Sequence, residues 1–232
     1  MSHPTFLLVH GAWSGSWCWE FVTHEFNARD VTYATVDLPS STPNAHPETY
    51  LIDDARDVAE VANRCGPVVL VGHSYGGSVI TEAAPLVDKL HGLIYVAALL
   101  PNAGESSTDA SRAVRVRTAL DDAIYLEGDM LYLREDLARG ALYQDCEEDV
   151  ANWALARLSS QTLASFRSPR ASGDVDAPRR YVRCDQDRAI DPSTQTLMAS
   201  RCGDVVTLSS GHSPFLSRPA SLVDLLVAPL HD

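Results

Sequence analysis

The stretch VVLVGHSYGGSVI, residues 68–80, decides how this chain is read. Residues 68–71 form a short β-branched apolar run without polar alternation, the pattern of a strand buried on both faces. A helical pattern spans 78–86. Between them stands Gly72-His73-Ser74-Tyr75-Gly76, too short for an ordinary loop and flanked by glycines. A serine held on a sharp strand-to-helix turn, with minimal bulk around it, is the G-x-S-x-G arrangement that exposes a nucleophilic hydroxyl. The Tyr75 N–H, at the helix start, then faces any negative charge developing beside that hydroxyl.

The rest of the chain supplies a frame for such a turn. Strand-like runs fall at 5–10, 31–36, 68–71, 93–97, 180–184 and 205–208. Helical patterns fall at 17–28, 48–64, 78–86, 193–201 and 219–228. In the second of these, Leu51, Ala55, Val58, Ala59 and Ala62 share one face, with Asp53, Asp54, Asp57 and Glu60 opposite. Alternation of this kind predicts an α/β fold: a mostly parallel sheet of about six strands, joined by right-handed crossovers, with helices on both faces. Residues 102–177 break the rhythm. They show helical patterns and loop residues without strands, and so predict a helical cap inserted into a core of residues 1–101 and 178–232.

Composition narrows the function classes. The 232 residues are 45% apolar and 21% charged, the profile of a globular chain large enough for a sizeable core. A net charge of −13 argues against a nucleic-acid or anionic-membrane partner, both of which need clustered Lys and Arg. Residues 121–149 hold ten acidic residues against two arginines, read as a solvated surface or, more sharply, as a field disfavouring anionic substrates. Five cysteines, widely spaced and without a CxxC pair, read as free thiols of a reducing compartment. With no basic leader and no apolar run near 18 residues, the expected location is cytoplasmic.

A serine nucleophile needs a base, and the base an orienting acid. Of the eight histidines, His212 follows the 205–208 strand in a glycine-bearing loop before the last helix. His73 beside the serine reads as packing, and His10 as an organiser of the loop after the first strand. His3, His24, His46, His91 and His231 have no supporting context. The acid belongs after the preceding strand, where Asp185 and Asp187 both qualify and Asp191 reads as a helix N-cap. Asp187 is preferred because the loop must leave the strand before turning toward the histidine. The order Ser74, Asp187, His212 is that of α/β-hydrolases. A second oxyanion donor is expected from the Ala12 N–H, with Trp13 at the pocket mouth and Trp17 and Trp19 as core. Within 102–177, Tyr125, Leu126, Leu131, Tyr132, Trp153 and Phe166 could line the pocket or pack helix on helix. No metal-ligand cluster, Walker loop or dinucleotide fingerprint is present, so no cofactor is expected.

VHGAWSGSWCW (9–19), GHSYGG (72–77), YVRCDQDRAI (181–190), SGHSPFLSRP (210–219) and LYQDCEEDVANWALARL (142–158) together resemble the plant-type methylesterase and hydroxynitrile lyase branch of the α/β-hydrolases and its small bacterial esterase relatives. The resemblance implies Asp187 as the acid and Ala12 and Tyr75 as oxyanion donors; such relatives are often dimers. The expected substrate is a small or medium carboxylic ester with an apolar acyl or aryl group, which the large apolar residues of 102–177 would suit. Lyases of the rubber-tree type carry a threonine after the first-strand histidine and a lysine after the catalytic histidine. Here those positions are Gly11 and Ser213, which favours ester hydrolysis over cyanide release. The rival expectations are a lyase, oxygenase or cyclase step, or a ligand-binding protein without turnover.

Overall fold

The computed structural model describes residues 4–230. Its strands are β1 (Thr5–Val9), β2 (Tyr33–Val36), β3 (Val68–His73), β4 (Leu90–Val96), β5 (Ile124–Glu127), β6 (Met130–Leu133), β7 (Gln161–Thr162), β8 (Arg179–Cys184) and β9 (Asp204–Leu208). The helices are α1 (Glu20–Ala28), α2 (Leu51–Cys65), α3 (Tyr75–Ala83), α4 (Ser107–Ser111), α5 (Ala119–Ala123), α6 (Glu135–Leu142), α7 (Glu148–Leu155), α8 (Leu163–Arg167), α9 (Pro192–Ala199), α10 (Pro214–Ser217) and α11 (Pro219–Val227).

Six strands form one parallel sheet in the order β2-β1-β3-β4-β8-β9, which is the fold of an α/β-hydrolase. Every residue of β3 is buried because β1 and β4 flank it and helices cover both faces; hence its unbroken apolar run. One apolar cluster joins Leu7, Leu70, Leu93 and Tyr181 to α2 and α3. A second joins Leu8, Val71, Ile94 and Val182 to α1 and α11. All five cysteines are free. Among the described residues, no helix is long and apolar enough to cross a membrane. His3 and His231 lie outside the described residues.

Helix α3 starts at Tyr75, three residues before the apolar periodicity begins. Gly76 and Gly77 are therefore residues of its first turn. A Cβ on Gly76 would lie 2.6 Å from the His10 carbonyl oxygen, and one on Gly72 would lie 2.5 Å from that of Gly76. On Gly77 it would lie 2.6 Å from Ala98 Cβ. The glycines bring the helix onto β1 and β4, closer than any side chain permits.

Two expectations need correction. The segment between β4 and β8 is not purely helical: β5, β6 and β7 form a three-stranded antiparallel sheet within it. Tyr125 and Tyr132 face each other across the hairpin, rings stacked at 5.5 Å, and Gly128 takes the positive φ of 58° that its two-residue turn requires. Asp54, expected on the solvent face of α2, is fully buried. Its carboxylate accepts hydrogen bonds from Ser40 N–H (3.0 Å), Ser40 Oγ (2.5 Å) and Tyr75 Oη (2.7 Å). Gln161 donates to Ser40 Oγ at 2.8 Å and to Ser165 Oγ at 2.6 Å, so this buried network ties α2, the start of α3 and the inserted segment together.

Burial pushes the Asp54 carboxyl up to about 6 from its usual 3.8, against the lowering effect of its three donors. Since the folded value lies above the unfolded one, the associated stability is present below about pH 4 and lost as pH rises through 6. The difference between the two values corresponds to roughly 3 kcal/mol. Asp54→Asn stays uncharged, so its melting temperature relative to wild type should climb between pH 4 and 7. A parallel pair of curves would contradict this account of Asp54.

Candidate active site

Ser74, Asp187 and His212, 113 and 25 residues apart, are brought to one edge of the sheet, past the carboxyl ends of β3, β8 and β9. Open parallel sheets bind ligands at that edge. The Ser74 backbone takes φ 53°, ψ −120°, a left-handed conformation costing a non-glycine residue about 1–3 kcal/mol. Its carbonyl accepts from Gly77 N–H (3.1 Å) and Leu99 N–H (2.9 Å), and its own N–H donates to Val96 O (3.2 Å). These three bonds hold the turn. Ser74, His212 and Ala12 line a common cavity of about 20 Å³.

Asp187 lies in the turn between β8 and α9 with 5% exposure, whereas Asp185 is exposed to solvent. Asp187 Oδ2 is 2.8 Å from His212 Nδ1, and Oδ1 accepts the Ala189 and Ile190 N–H groups at 2.7 and 3.0 Å. With the carboxylate ionised, Nδ1–H donates and Nε2 keeps a free lone pair. Asp191 caps α9, accepting Ser193 N–H at 2.8 Å.

The neighbouring histidines hold backbone. His73 Nε2–H donates to the His212 carbonyl at 2.8 Å, and the two rings lie 4.6 Å apart. Burial, then the adjacent His212, keeps the His73 pKa well below its ordinary value, so the ring is neutral. His10 Nε2 accepts from Leu38 N–H at 3.0 Å, leaving its Nδ1–H to donate to Gly11 O at 2.7 Å. That pair fixes the loop carrying Ala12. Among the described residues no backbone acceptor meets the Ala12 N–H, and the Tyr75 N–H, first in α3, lies outside the helical ladder.

Three contributors escaped the sequence reading. Gln195, fully buried on α9, donates from Nε2 to Asp187 Oδ2 at 2.8 Å and accepts Cys184 N–H at 2.9 Å. Asp145 accepts Gly211 N–H at 2.7 Å, pinning the loop of His212 from the inserted segment. Asp54 anchors the Tyr75 hydroxyl. Only burial distinguishes Gln195 and Asp54 from ordinary polar helix residues, and the local pattern does not carry it.

Beside Ser74 opens a larger cavity of about 560 Å³. Of the pocket residues expected from sequence, Trp13 and Phe166 line it, their rings 5.9 Å apart. Tyr125, Leu131 and Trp153 do not. Tyr125 is exposed and stacks across the hairpin on the half-buried Tyr132. The Leu131 carbonyl accepts the Trp13 indole N–H at 3.0 Å. Trp153 packs edge-on against Trp17 at 5.3 Å and under Arg157 at 4.5 Å. Trp19 is core, as expected, 5.2 Å from Phe215. Among the described residues no three His, Cys, Asp or Glu side chains gather as a metal-binding group.

Comparison with known proteins agrees with this architecture. Residues 6–225 match the model of the "Alpha/beta hydrolase family". An alpha/beta hydrolase of Aspergillus novofumigatus is 30% identical, over 97% of this chain and 96% of its own. A methylesterase of Arabidopsis thaliana is 27% identical, over 97% and 90%. The crystal structure of a pyrethroid hydrolase from Sphingobium faniae superposes with a TM-score of 0.84 at 25% identity, covering 96% of this chain and 95% of that one. The chain belongs to the alpha/beta hydrolase family.

Proposed function

We propose that this protein is a carboxylic ester hydrolase working through a Ser74–His212–Asp187 triad. The observation that carries the reading is the buried 2.8 Å contact between His212 Nδ1 and Asp187 Oδ2, beside a serine whose backbone is held left-handed in the same small cavity. His212 Nε2 takes the Ser74 proton as Oγ attacks the ester carbonyl, and the Ala12 and Tyr75 N–H groups stabilise the tetrahedral oxyanion. Protonated His212 then gives its proton to the departing alcohol. Water, deprotonated by the same nitrogen, attacks the acyl-enzyme and releases the acid and free Ser74. Residues 102–177 serve as the cap over the pocket, with Trp13 and Phe166 against the substrate.

Two features support hydrolysis rather than cyanohydrin cleavage. A Cβ on Gly11 would lie 2.9 Å from both His73 Nδ1 and Ser74 Cβ, so the lyase threonine has no room. Ser213 supplies no cation where that lyase has lysine. Relatives named as a methylesterase, a pyrethroid hydrolase and a carbendazim hydrolyzing esterase agree with an ester substrate.

With p-nitrophenyl butyrate as substrate, Ser74→Ala should lower kcat by about 10⁴- to 10⁶-fold. Near-normal turnover would refute the mechanism. Asp187→Asn, which removes the carboxylate that fixes the His212 tautomer, should cost on the order of 10³- to 10⁴-fold. The exposed Asp185→Asn should stay close to wild type, and the reverse ranking would move the acid to Asp185.

A further inference from the structure

The cavity beside Ser74 has two kinds of wall. Trp13, Leu99, Leu120, Ile124, Phe166 and Ile190 give it apolar surface. The segment SRAVRVR, residues 111–117, also lines it and brings three arginines, Arg112, Arg115 and Arg117. Arg117 is taken: its guanidinium pairs with Asp122. Arg112 and Arg115 form no ion pair among the described residues; the nearby Asp109 carboxyl is held below its usual range first by its hydrogen bonds with Ser106, with the Arg112 charge adding to them. Two carboxylates stand on the same wall, and both are engaged locally. Asp121 accepts Thr118 N–H at 2.7 Å and Thr118 Oγ1 at 3.0 Å. Asp191 accepts Ser193 N–H at 2.8 Å and Ser193 Oγ at 2.5 Å. Both guanidinium groups therefore stand at the cavity without a salt-bridged carboxylate. A free guanidinium fork is suited to bidentate recognition of a carboxylate.

We propose that this cavity selects esters carrying a second, anionic group: a carboxylate engaged by Arg115 and Arg112 while the ester carbonyl sits at Ser74 and the connecting apolar portion lies against Trp13 and Phe166. The inference rests on the esterase reading and adds its substrate class. It runs against the sharper of the two readings of the acidic 121–149 segment, a field disfavouring anionic substrates. Asp121, the acidic member of that segment on the cavity wall, is held by Thr118, and exposed charges beyond a Debye length, about 8 Å at physiological ionic strength, are largely screened.

The test compares kcat/KM within two matched pairs: p-nitrophenyl hydrogen adipate against p-nitrophenyl hexanoate, and 4-acetoxybenzoate against phenyl acetate. The first places the charge on the acyl side, the second on the leaving group. In at least one pair the charged member should be preferred, and Arg115→Glu or the double substitution Arg112→Ala/Arg115→Ala should lower that charged-to-neutral ratio about tenfold, the lower end for a charge-assisted contact at an exposed rim. Added salt should lower it too. A neutral preference in both pairs, or a ratio the arginine substitutions do not move, overturns the substrate class and leaves the esterase intact. Ester turnover that survives Ser74→Ala, or no turnover of any ester, overturns both.

Discussion

A left-handed backbone at a serine is intrinsically unfavourable, and at Ser74 it persists because its surroundings permit no alternative. Gly72 and Gly76 pack backbone to backbone, Gly76 sits on the His10 carbonyl, and the Ser74 carbonyl is held by two N–H groups. The strain thus rests on the close approach of α3 to β1 and β4, which requires three glycines and a fully buried β3. The position of the hydroxyl, the direction of the Tyr75 N–H and the reach of the cavity all follow from it. Asp54 completes the arrangement by fixing the far end of the Tyr75 side chain.

The second constraint is the buried carboxylate. Asp187 has its oxygens satisfied by two backbone N–H groups, Gln195 and His212. A buried carboxylate without such donors would carry a large desolvation cost; with them it can hold an imidazole in one tautomer. His73 and Asp145 pin the backbone on either side of the same imidazole. The proposed base is therefore positioned by the core and by the inserted segment together, so loosening either would be felt at one ring.

The sequence was most informative where backbone geometry dictates residue type. The run 68–71 entering Gly-x-Ser-x-Gly, and the strand-helix alternation around it, led to the sheet and its turn because buried parallel strands and tight helix contacts tolerate few substitutes. Loops after β8 and β9 were placed by their distance from the strand ends. Less legible was the 102–177 segment. There IYLEGDMLYL holds two short apolar runs around a Gly-Asp turn, and neither strand alternates between a buried and an exposed face, so the period-2 signal of a strand is missing. Buried polar residues on helices were hidden because only tertiary packing buries them: Gln195 meets Asp187 eight residues away, Asp54 meets Tyr75 21 residues away, and Gln161 joins Asp54's partner Ser40 from 121 residues away. Pocket lining failed for the same reason. Tyr125 and Trp153 have the chemistry of a lining residue, and only tertiary packing directs them elsewhere.

In the proposed mechanism residue 74 bears an alkoxide-forming hydroxyl driven by the imidazole of residue 212. A fluorophosphonate reacts with such a group and passes over ordinary serines, so peptide mass spectrometry of the treated native protein tests it directly. One phosphonyl adduct is expected, on the peptide containing Ser74, forming orders of magnitude more slowly in His212→Ala. A folded protein left unlabelled at Ser74, or labelled there at an unchanged rate without the imidazole, would contradict the mechanism.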